Sequence, residues 1–115
     1  MRYEGSCHCG RIAFEVEGEL TQAMECNCSH CSRKGFLMWF VPREQVVLKT
    51  PESNMAQYTF NKHAIHHHFC PQCGCAPLSF GTGPGGKAMA SINVRCLEGV
   101  DVSGLKRVQI DGRSF

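Results

Sequence analysis

The sequence predicts an all-β domain that is stabilised by zinc. Short apolar segments alternate with polar residues or end at glycine and proline, which is typical of strands, and no segment keeps helical spacing for three turns. Nine of the 115 residues are cysteine, a proportion that marks disulfide scaffolds in secreted chains and metal sites in intracellular ones. This length favours one domain, so we expect residues 1–115 to fold as a single unit.

The predicted strands follow one another along the chain without a linker or an internal repeat. In the first strand, Ile12, Phe14 and Val16 alternate with small or polar residues before Gly18, as in a half-buried strand. A turn is predicted at residues 61–62, and residues 42–45 and 102–105 are each long enough for one turn of helix. The remaining strands are predicted at residues 36–41, 46–48, 57–60, 64–69, 78–80, 89–94 and 106–110.

Composition and charge exclude several classes of protein. Hydrophobic residues make up 43% of the chain and charged residues 19%, which is a globular balance. The net charge of +2 is too small for a nucleic-acid-binding surface, and no apolar run approaches the roughly 18 residues of a membrane helix. Residues 1–7 lack the apolar core of a signal peptide, so we expect a cytoplasmic protein whose thiols stay reduced.

The spacing of the cysteines indicates metal binding rather than disulfides. An odd number of cysteines cannot be fully paired within one chain, and C-x-C pairs meet the geometry of a disulfide poorly. Short pairs suit a tetrahedral zinc ion, which draws thiolates together at about 2.3 Å from the metal. Seven cysteines fall into three clusters, whereas Cys75 and Cys96 stand apart and are predicted to be small buried side chains.

The first and third clusters together make a closed site. Each supplies two thiolates, and four thiolates fill the tetrahedral shell of zinc. Such a site is structural because no coordination position is left open, and losing its metal should cost the fold. The predicted ligands of this structural zinc are Cys7, Cys9, Cys70 and Cys73.

The second cluster leaves a coordination position open. It places three thiolates within six residues, and open sites are where zinc does chemistry. The alternative is a second structural site that is completed by His30, by His63 or by a spare cysteine. The predicted ligands of this second zinc are Cys26, Cys28 and Cys31.

Three other motifs have simpler interpretations. Residues 81–87 match glycine-rich phosphate-binding patterns by letter, but a strand is predicted to follow where those motifs need a helix, so a hairpin loop is favoured. His66, His67 and His68 lead into the third cluster; on a strand the outer two face one side and His67 the other, and partly exposed strand histidines are the favoured interpretation. The sequon at Asn27 lies inside the second cysteine cluster and is discounted.

The cysteine motifs, in this order, resemble those of the glutathione-dependent formaldehyde-activating enzyme family, whose domain also occurs in centromere protein V. The matching segments are residues 6–10 with the strand at 12–15, residues 26–35, residues 69–74, and the C-terminal pattern from residue 93 to Asp111 and Gly112. The resemblance implies an all-β, zinc-holding β-tent fold of two packed antiparallel sheets, shared distantly with methionine sulfoxide reductase B. It also implies two zinc ions, one structural and one catalytic, held by the same two sets of cysteines.

For activity, the resemblance implies a carbon–sulfur lyase of the S-(hydroxymethyl)glutathione synthase type. Its expected partners are a small thiol such as glutathione and an aldehyde such as formaldehyde, with no nucleic acid and no membrane. A thiol that coordinates zinc loses its proton near neutral pH, and zinc also polarises a carbonyl oxygen as a Lewis acid. On chemistry alone, His30 is a candidate proton shuttle.

Other functions remain open at this point, because a scaffold alone does not define an activity. The chain is shorter than the founding enzyme of the family, so surfaces that recognise glutathione there need not be present here. The main alternative is a non-catalytic zinc module that binds a small thiol or a protein partner. A nucleic-acid-binding zinc ribbon is disfavoured by the charge, and a thiol oxidoreductase that uses Cys75 is disfavoured because isolated cysteines are more often buried and inert.

Overall fold

The computed structural model describes residues 1–60 and 65–114. Within them the chain forms ten strands, a single α-helix named α1 (Ser29–Lys34) and several short 3-10 turns. Turns at Arg43–Gln45 and Val102–Gly104 fall where single helical turns are predicted. The strands are β1 (Arg2–Ser6), β2 (Ala13–Glu17), β3 (Gln22–Cys26), β4 (Met38–Pro42), β5 (Val46–Leu48), β6 (Ala56–Tyr58), β7 (Ile65–Phe69), β8 (Leu78–Thr82), β9 (Ala88–Asn93) and β10 (Lys106–Ile110).

The smaller sheet is antiparallel and has the order β1-β2-β5. Strand β2 carries the alternation read from the sequence, since Phe14 and Val16 are buried while Glu17 is exposed. Val16 lies opposite Val46 of β5, which is also buried. Burying a side chain of this size stabilises the fold by about 1.5–3 kcal/mol, so the alternation determines which face of the sheet meets the core.

The larger sheet has the order β10-β3-β4-β9-β8-β7-β6 and is antiparallel except at one edge. There β10 runs parallel to β3, with Lys106 opposite Gln22 and Ile110 opposite Cys26. The two expected antiparallel sheets are therefore present, and this edge adds one parallel pair to the larger sheet. The chain leaves β9 in the middle of the sheet and crosses through residues 94–105, which brings β10 in beside β3 in the same direction.

Both sheets contribute to one hydrophobic core. Trp39 of β4 is buried, and its ring lies edge-on to Tyr3 of β1 with the centroids 5.7 Å apart. The largest fully buried side chains are Phe14, Ile12, Leu37, Leu78, Ile92, Val16, Val94, Pro77 and Cys70. The two sheets thus pack face to face, and the all-β prediction is confirmed.

Several local features differ from the sequence-based expectations. The sequence predicts no strand where β1 and β3 lie, and no helix where α1 lies. The predicted turn at residues 61–62, and His63, lie outside the described residues. Residues 81–87 do join two antiparallel strands, β8 and β9, which confirms the hairpin loop. Within the described part of the chain, no helix has the length and apolarity to cross a membrane.

Candidate metal centres

The first candidate site joins the two sheets. Cys7 directly follows β1 of the smaller sheet, and Cys70 directly follows β7 of the larger sheet. The structure brings the Sγ atoms of all four predicted ligands within 4.8 Å of one another. Cys9 and Cys70, which are 61 residues apart in the sequence, have their Sγ atoms 3.6 Å apart. This cluster therefore links distant parts of the chain as well as the two sheets.

The geometry of the four-cysteine cluster fits a tetrahedral metal ion. Zinc–sulfur bonds of about 2.3 Å at tetrahedral angles place neighbouring sulfurs roughly 3.8 Å apart, and the Sγ atoms of Cys7 and Cys9 are 3.7 Å apart. Backbone N–H groups also donate to the sulfurs, from Ile12 to Cys7 at 3.3 Å and from Gln72 to Cys70 at 3.4 Å. Such donors favour the thiolate form that binds metal.

Without a cation, the four thiols compete for negative charge. The pKa of Cys73 is lowered to about 5, because the backbone N–H groups of Cys75 and Cys9 donate to its sulfur. The pKa of Cys9 is raised to about 11: the backbone N–H of Arg11 opposes this rise, but desolvation and the sulfur of Cys70 outweigh it. A divalent cation would allow all four sulfurs to be thiolates together, so the donor set fits zinc.

The second candidate site is built from a single short segment. Cys26 ends β3, Cys28 caps the N-terminus of α1, and Cys31 lies buried within α1. Their Sγ atoms all lie within 4.8 Å of one another. In the part of the chain that the structure describes, no histidine, cysteine, aspartate or glutamate adds a fourth ligand atom to this cluster. Among the described residues the cluster therefore offers three donors, and His63, a candidate fourth ligand, lies outside them.

Helix α1 sets the protonation of this three-cysteine cluster. The backbone N–H of Cys31 donates to the Sγ of Cys28 at 3.2 Å. Although burial alone would raise it, the pKa of Cys28 is lowered below its ordinary value by this N–H and that of His30. Burial raises the pKa of Cys31, and contact with the sulfur of Cys28 adds to the rise. As in the first site, a cation is needed for all three sulfurs to ionise together.

The C-terminal tail covers one side of the three-cysteine cluster. The side chain of Asn27 donates to Asp111 Oδ1 at 2.9 Å and accepts from the backbone N–H of Arg113, also at 2.9 Å. These bonds place Gly112 against the cluster, where an added Cβ would overlap the Sγ of Cys26. Only glycine fits at this position, because of this close approach.

The ring of His30 lines an aromatic cleft. Its ring centroid lies 4.4 Å from that of His67 and 5.3 Å from that of Phe60. Its Nδ1 atom is buried and has no hydrogen-bond partner among the described residues. Burial lowers the pKa of His30, and the positive charge of Lys34 lowers it further, so the imidazole stays a neutral base near pH 7.

The three consecutive histidines separate as the strand pattern predicts. His66 is exposed, His67 is half-buried against His30, and His68 is buried with its ring edge-on to Phe80 at 5.1 Å. The structure does not place any of them in a group of metal-ligating atoms within the described residues. His66 and His67 are at least partly exposed on the strand, as expected, whereas His68 is more deeply buried than expected.

The two remaining cysteines are less buried than expected. Cys75 and Cys96 are both half-buried, although Cys75 packs against the core. Burial raises the pKa of Cys96 to about 11, with a smaller contribution from Cys75. A thiol with this pKa is largely protonated and unreactive near neutral pH.

Sequence reasoning missed the surroundings of the second site. The contacts of Asn27 and Gly112 join residues more than 80 positions apart, and the aromatic cleft combines α1 with β6 and β7. Neither the tail contacts nor the aromatic cleft is visible in the sequence as a local motif. The one available signal for α1 was Gly35, which ends it in the left-handed conformation (φ 69°) after two basic residues.

The comparisons with known proteins agree with this architecture. Residues 2–105 match the family described as glutathione-dependent formaldehyde-activating enzyme. The chain belongs to this family. A crystal structure of a Rhodobacter sphaeroides protein, a Northeast Structural Genomics target, is similar with 26% identity and a TM-score of 0.78, over 94% of this chain and 100% of that one. The family resemblance read from the cysteine motifs is confirmed.

Family membership and geometry together establish a formaldehyde-activating family member with two cysteine clusters that can bind metal. The family match ends at residue 105, before β10 and the tail. The resemblance read at Asp111 and Gly112 therefore stays a prediction.

Proposed function

We propose that the protein is a zinc-dependent carbon–sulfur lyase of the S-(hydroxymethyl)glutathione synthase type, which adds a small thiol to an aldehyde. The observation that carries this proposal is the three-cysteine cluster, whose sulfurs converge without a fourth donor among the described residues. Cys26, Cys28 and Cys31 would hold the reactive zinc. The structural zinc would be held by Cys7, Cys9, Cys70 and Cys73.

Zinc in the three-cysteine site would play two parts. A thiol bound at its exchangeable position would lose its proton near neutral pH, and the ion would act as a Lewis acid on the aldehyde oxygen. The protein's residues arrange this chemistry. The N–H of Cys31 favours the thiolate form of Cys28, and Gly112 lets the tail cover Cys26 without displacing it. These contacts orient the three sulfurs before any substrate arrives.

The reaction needs only the movement of one proton besides the new bond. One carbon–sulfur bond forms, the carbonyl becomes a hydroxyl, and the thiol proton ends on that oxygen. His30 is the side chain that we assign to this transfer, because its neutral imidazole adjoins Cys31 in the chain and its Nδ1 has no hydrogen-bond partner in the described structure. Its assignment to proton transfer rests on position and chemistry.

The experiment compares metal content and activity in Cys28→Ser and Cys96→Ser. Zinc is counted on the purified proteins, and adduct formation between glutathione and formaldehyde is followed by nuclear magnetic resonance. We expect two zinc ions in the unmodified protein and one in Cys28→Ser, which should also lose acceleration of the reaction. Cys96→Ser is the control, because Cys96 lies outside both clusters, and it should keep both ions and the activity.

The outcomes separate the proposal from its main alternative. If the unmodified protein binds two zinc ions and glutathione but does not accelerate the addition above the rate without protein, it is a non-catalytic thiol-binding module. If Cys28→Ser loses no zinc, the three-cysteine cluster is not a metal site and the proposal is wrong.

A further inference from the structure

An aromatic cleft adjoins the three-cysteine cluster. It has a volume of about 440 Å³ and lies between α1 and the strands β6 and β7. His30, which precedes Cys31 in α1, contributes one wall, and Phe69, which precedes Cys70, contributes to another. Clefts of about 300–1,000 Å³ accommodate small organic ligands. This one is far larger than a two-heavy-atom aldehyde such as formaldehyde requires.

The walls of the cleft are mostly rings. Tyr58 and His67 line the cleft. Phe60 stands behind this lining and stacks on both rings, at 5.3 Å and 19° from His67 and at 5.8 Å and 23° from Tyr58. His30 is tilted against this row, and Phe36 lies 5.9 Å from His30 on another side. Rings arranged in this way offer faces and edges to a flat guest, and aromatic pairs gain energy beyond the burial of their area.

The charge of the cleft disfavours a cationic guest. Among the described residues that line it, Lys34 carries a positive charge and no carboxylate offsets it. Burial, aided by neighbouring histidines, lowers the pKa of His67 to about 4, so its ring is uncharged near neutral pH. The ammonium group of Lys34 would repel a cationic guest. A neutral or anionic aromatic group is the better match.

Helix α1 connects the cleft to the three-cysteine cluster, because it carries both His30 and Cys31. Asn27 ties the tail down so that Gly112 covers Cys26. His30 lies between Cys28 and Cys31 in the chain and faces the cleft. Because His30 adjoins Cys31 in α1, a substituent that extends from the sulfurs past His30 would enter the cleft.

We propose that the cleft binds a planar aromatic group carried by one of the two reactants of the three-cysteine site. The reaction in this inference rests on the proposed function, whereas the binding of the ring does not. If the ring is on the aldehyde, the thiol adds to an aryl carbonyl to give an aryl-substituted hydroxymethyl thioether. If it is on the thiol, the same addition to formaldehyde gives an S-hydroxymethyl aryl-bearing thioether. Both additions balance without a further reactant.

The first test measures binding by amide chemical shifts in the zinc-loaded protein. Benzyl alcohol is titrated against cyclohexylmethanol, a saturated alcohol of similar size. We expect benzyl alcohol to shift the amide signals of His30, Tyr58 and His67 and to bind more tightly than cyclohexylmethanol. Tyr58→Ala should weaken the binding of benzyl alcohol about 3- to 10-fold, as expected for loss of one aromatic contact. This variant should fold, because Tyr58 is 52% exposed.

The matched control is Phe40→Ala. Phe40 is also a partly exposed aromatic residue on a strand, but it does not line the cleft, so benzyl alcohol should bind this variant as it binds the unmodified protein. Equal binding of the two alcohols, shifts confined to other residues, or equal weakening in both variants would overturn the inference.

The second test identifies which reactant carries the ring. Adduct formation is measured for benzaldehyde with 2-mercaptoethanol, for formaldehyde with benzyl mercaptan, and for formaldehyde with 2-mercaptoethanol. Acceleration of either aryl pair above the pair without a ring, reduced by Tyr58→Ala, supports the proposal and identifies the source. Acceleration of the ring-free pair alone overturns the aryl substrate while the proposed function stands. Ring binding without acceleration of any pair overturns the proposed function and the aryl substrate, although the cleft remains a binding site for rings.

Discussion

The two cysteine clusters differ in how much of the chain each one joins. The four-cysteine cluster draws together loops from opposite sheets that are separated by about 60 residues, whereas the three-cysteine cluster uses six consecutive residues at the end of β3 and the start of α1. Closing a long loop restricts the unfolded chain much more than closing a short one. We therefore expect a metal in the first cluster to stabilise the fold, and a metal in the second to exchange without unfolding it.

The largest expected effect is on folding, in Cys70→Ser. Structural zinc in small peptides contributes an apparent ~10–16 kcal/mol, which is comparable to the ~5–15 kcal/mol net stability of a whole domain. We therefore expect this variant to lose its cooperative thermal unfolding transition, followed by circular dichroism. Cys28→Ser should unfold cooperatively within a few degrees of the unmodified protein. Similar unfolding of both variants would mean that the second cluster is structural too.

Some strands were predictable because their burial alternates along the chain, and β4 because it lies in a short apolar run. In β2, Phe14 and Val16 are buried on one face, and this period of two is visible in the sequence. Strands β1 and β3 were not predictable. Residues 22–26 include alanine, methionine and glutamate, which favour helices, yet they form β3 because pairing with β10 and burial of Ala23 override local propensity.

The metal ligands were predictable for a different reason. Zinc chemistry requires short cysteine spacings, and these are local, so the grouping of Cys7 with Cys9 and of Cys70 with Cys73 could be read directly. The surroundings of the second site depend on pairing across the fold. That Gly112 lies against Cys26 follows from the parallel pairing of β10 with β3, which no local pattern indicates.

The next largest effect is expected in Gly112→Ala, which should weaken zinc binding at the three-cysteine cluster and not at the four-cysteine cluster. The added methyl group would overlap the Sγ of Cys26, so either the tail or the sulfur must move. Changes beside metal ligands typically cost 10- to 100-fold in affinity, and we expect a loss of about that size for one of the two zinc ions in a chelator competition titration. Gly104→Ala is the control, because an added Cβ there meets no atom within 4 Å. Equal affinities in the two variants would contradict the packing of the tail on the site.

Acid should lower the stability of the fold through His67, on the side that holds the second cluster. Its pKa is lowered from 6.5 to about 4 in the folded protein, so the unfolded chain takes up the proton first as the pH falls. Stability is therefore lost between pH 6.5 and about 4. Because His67 is only half-buried and partly screened by solvent, we expect roughly 1–2 kcal/mol.

Chemical denaturation of the unmodified protein and of His67→Gln across this pH range measures that contribution. The difference in stability between the two proteins should change with pH, whereas His66→Gln, on the exposed neighbouring residue, should follow the unmodified protein. The same pH dependence in all three proteins would show that His67 does not contribute.

The smallest effects should come from two asparagines that each support a different cluster. The side chain of Asn27 makes two hydrogen bonds to the tail over the three-cysteine site. The side chain of Asn54 donates one to the backbone oxygen of Arg11, next to the loop of Cys7 and Cys9. All of these bonds are exposed to solvent, so each is worth about 0.5–1.5 kcal/mol at most. Asn27→Ala and Asn54→Ala should therefore destabilise the protein to a similar, small extent.

Their effects on zinc should nevertheless differ. Loss of the Asn27 bonds frees the tail and should weaken the second zinc by less than 10-fold, that is by less than about 1.4 kcal/mol. Asn54→Ala should leave the second zinc unchanged, because its contacts lie in the other loop. Chelator titrations of both variants measure this difference. If Asn54→Ala weakened the second zinc as much as Asn27→Ala does, the loss would come from general destabilisation, and the tail would have no specific role at the open site.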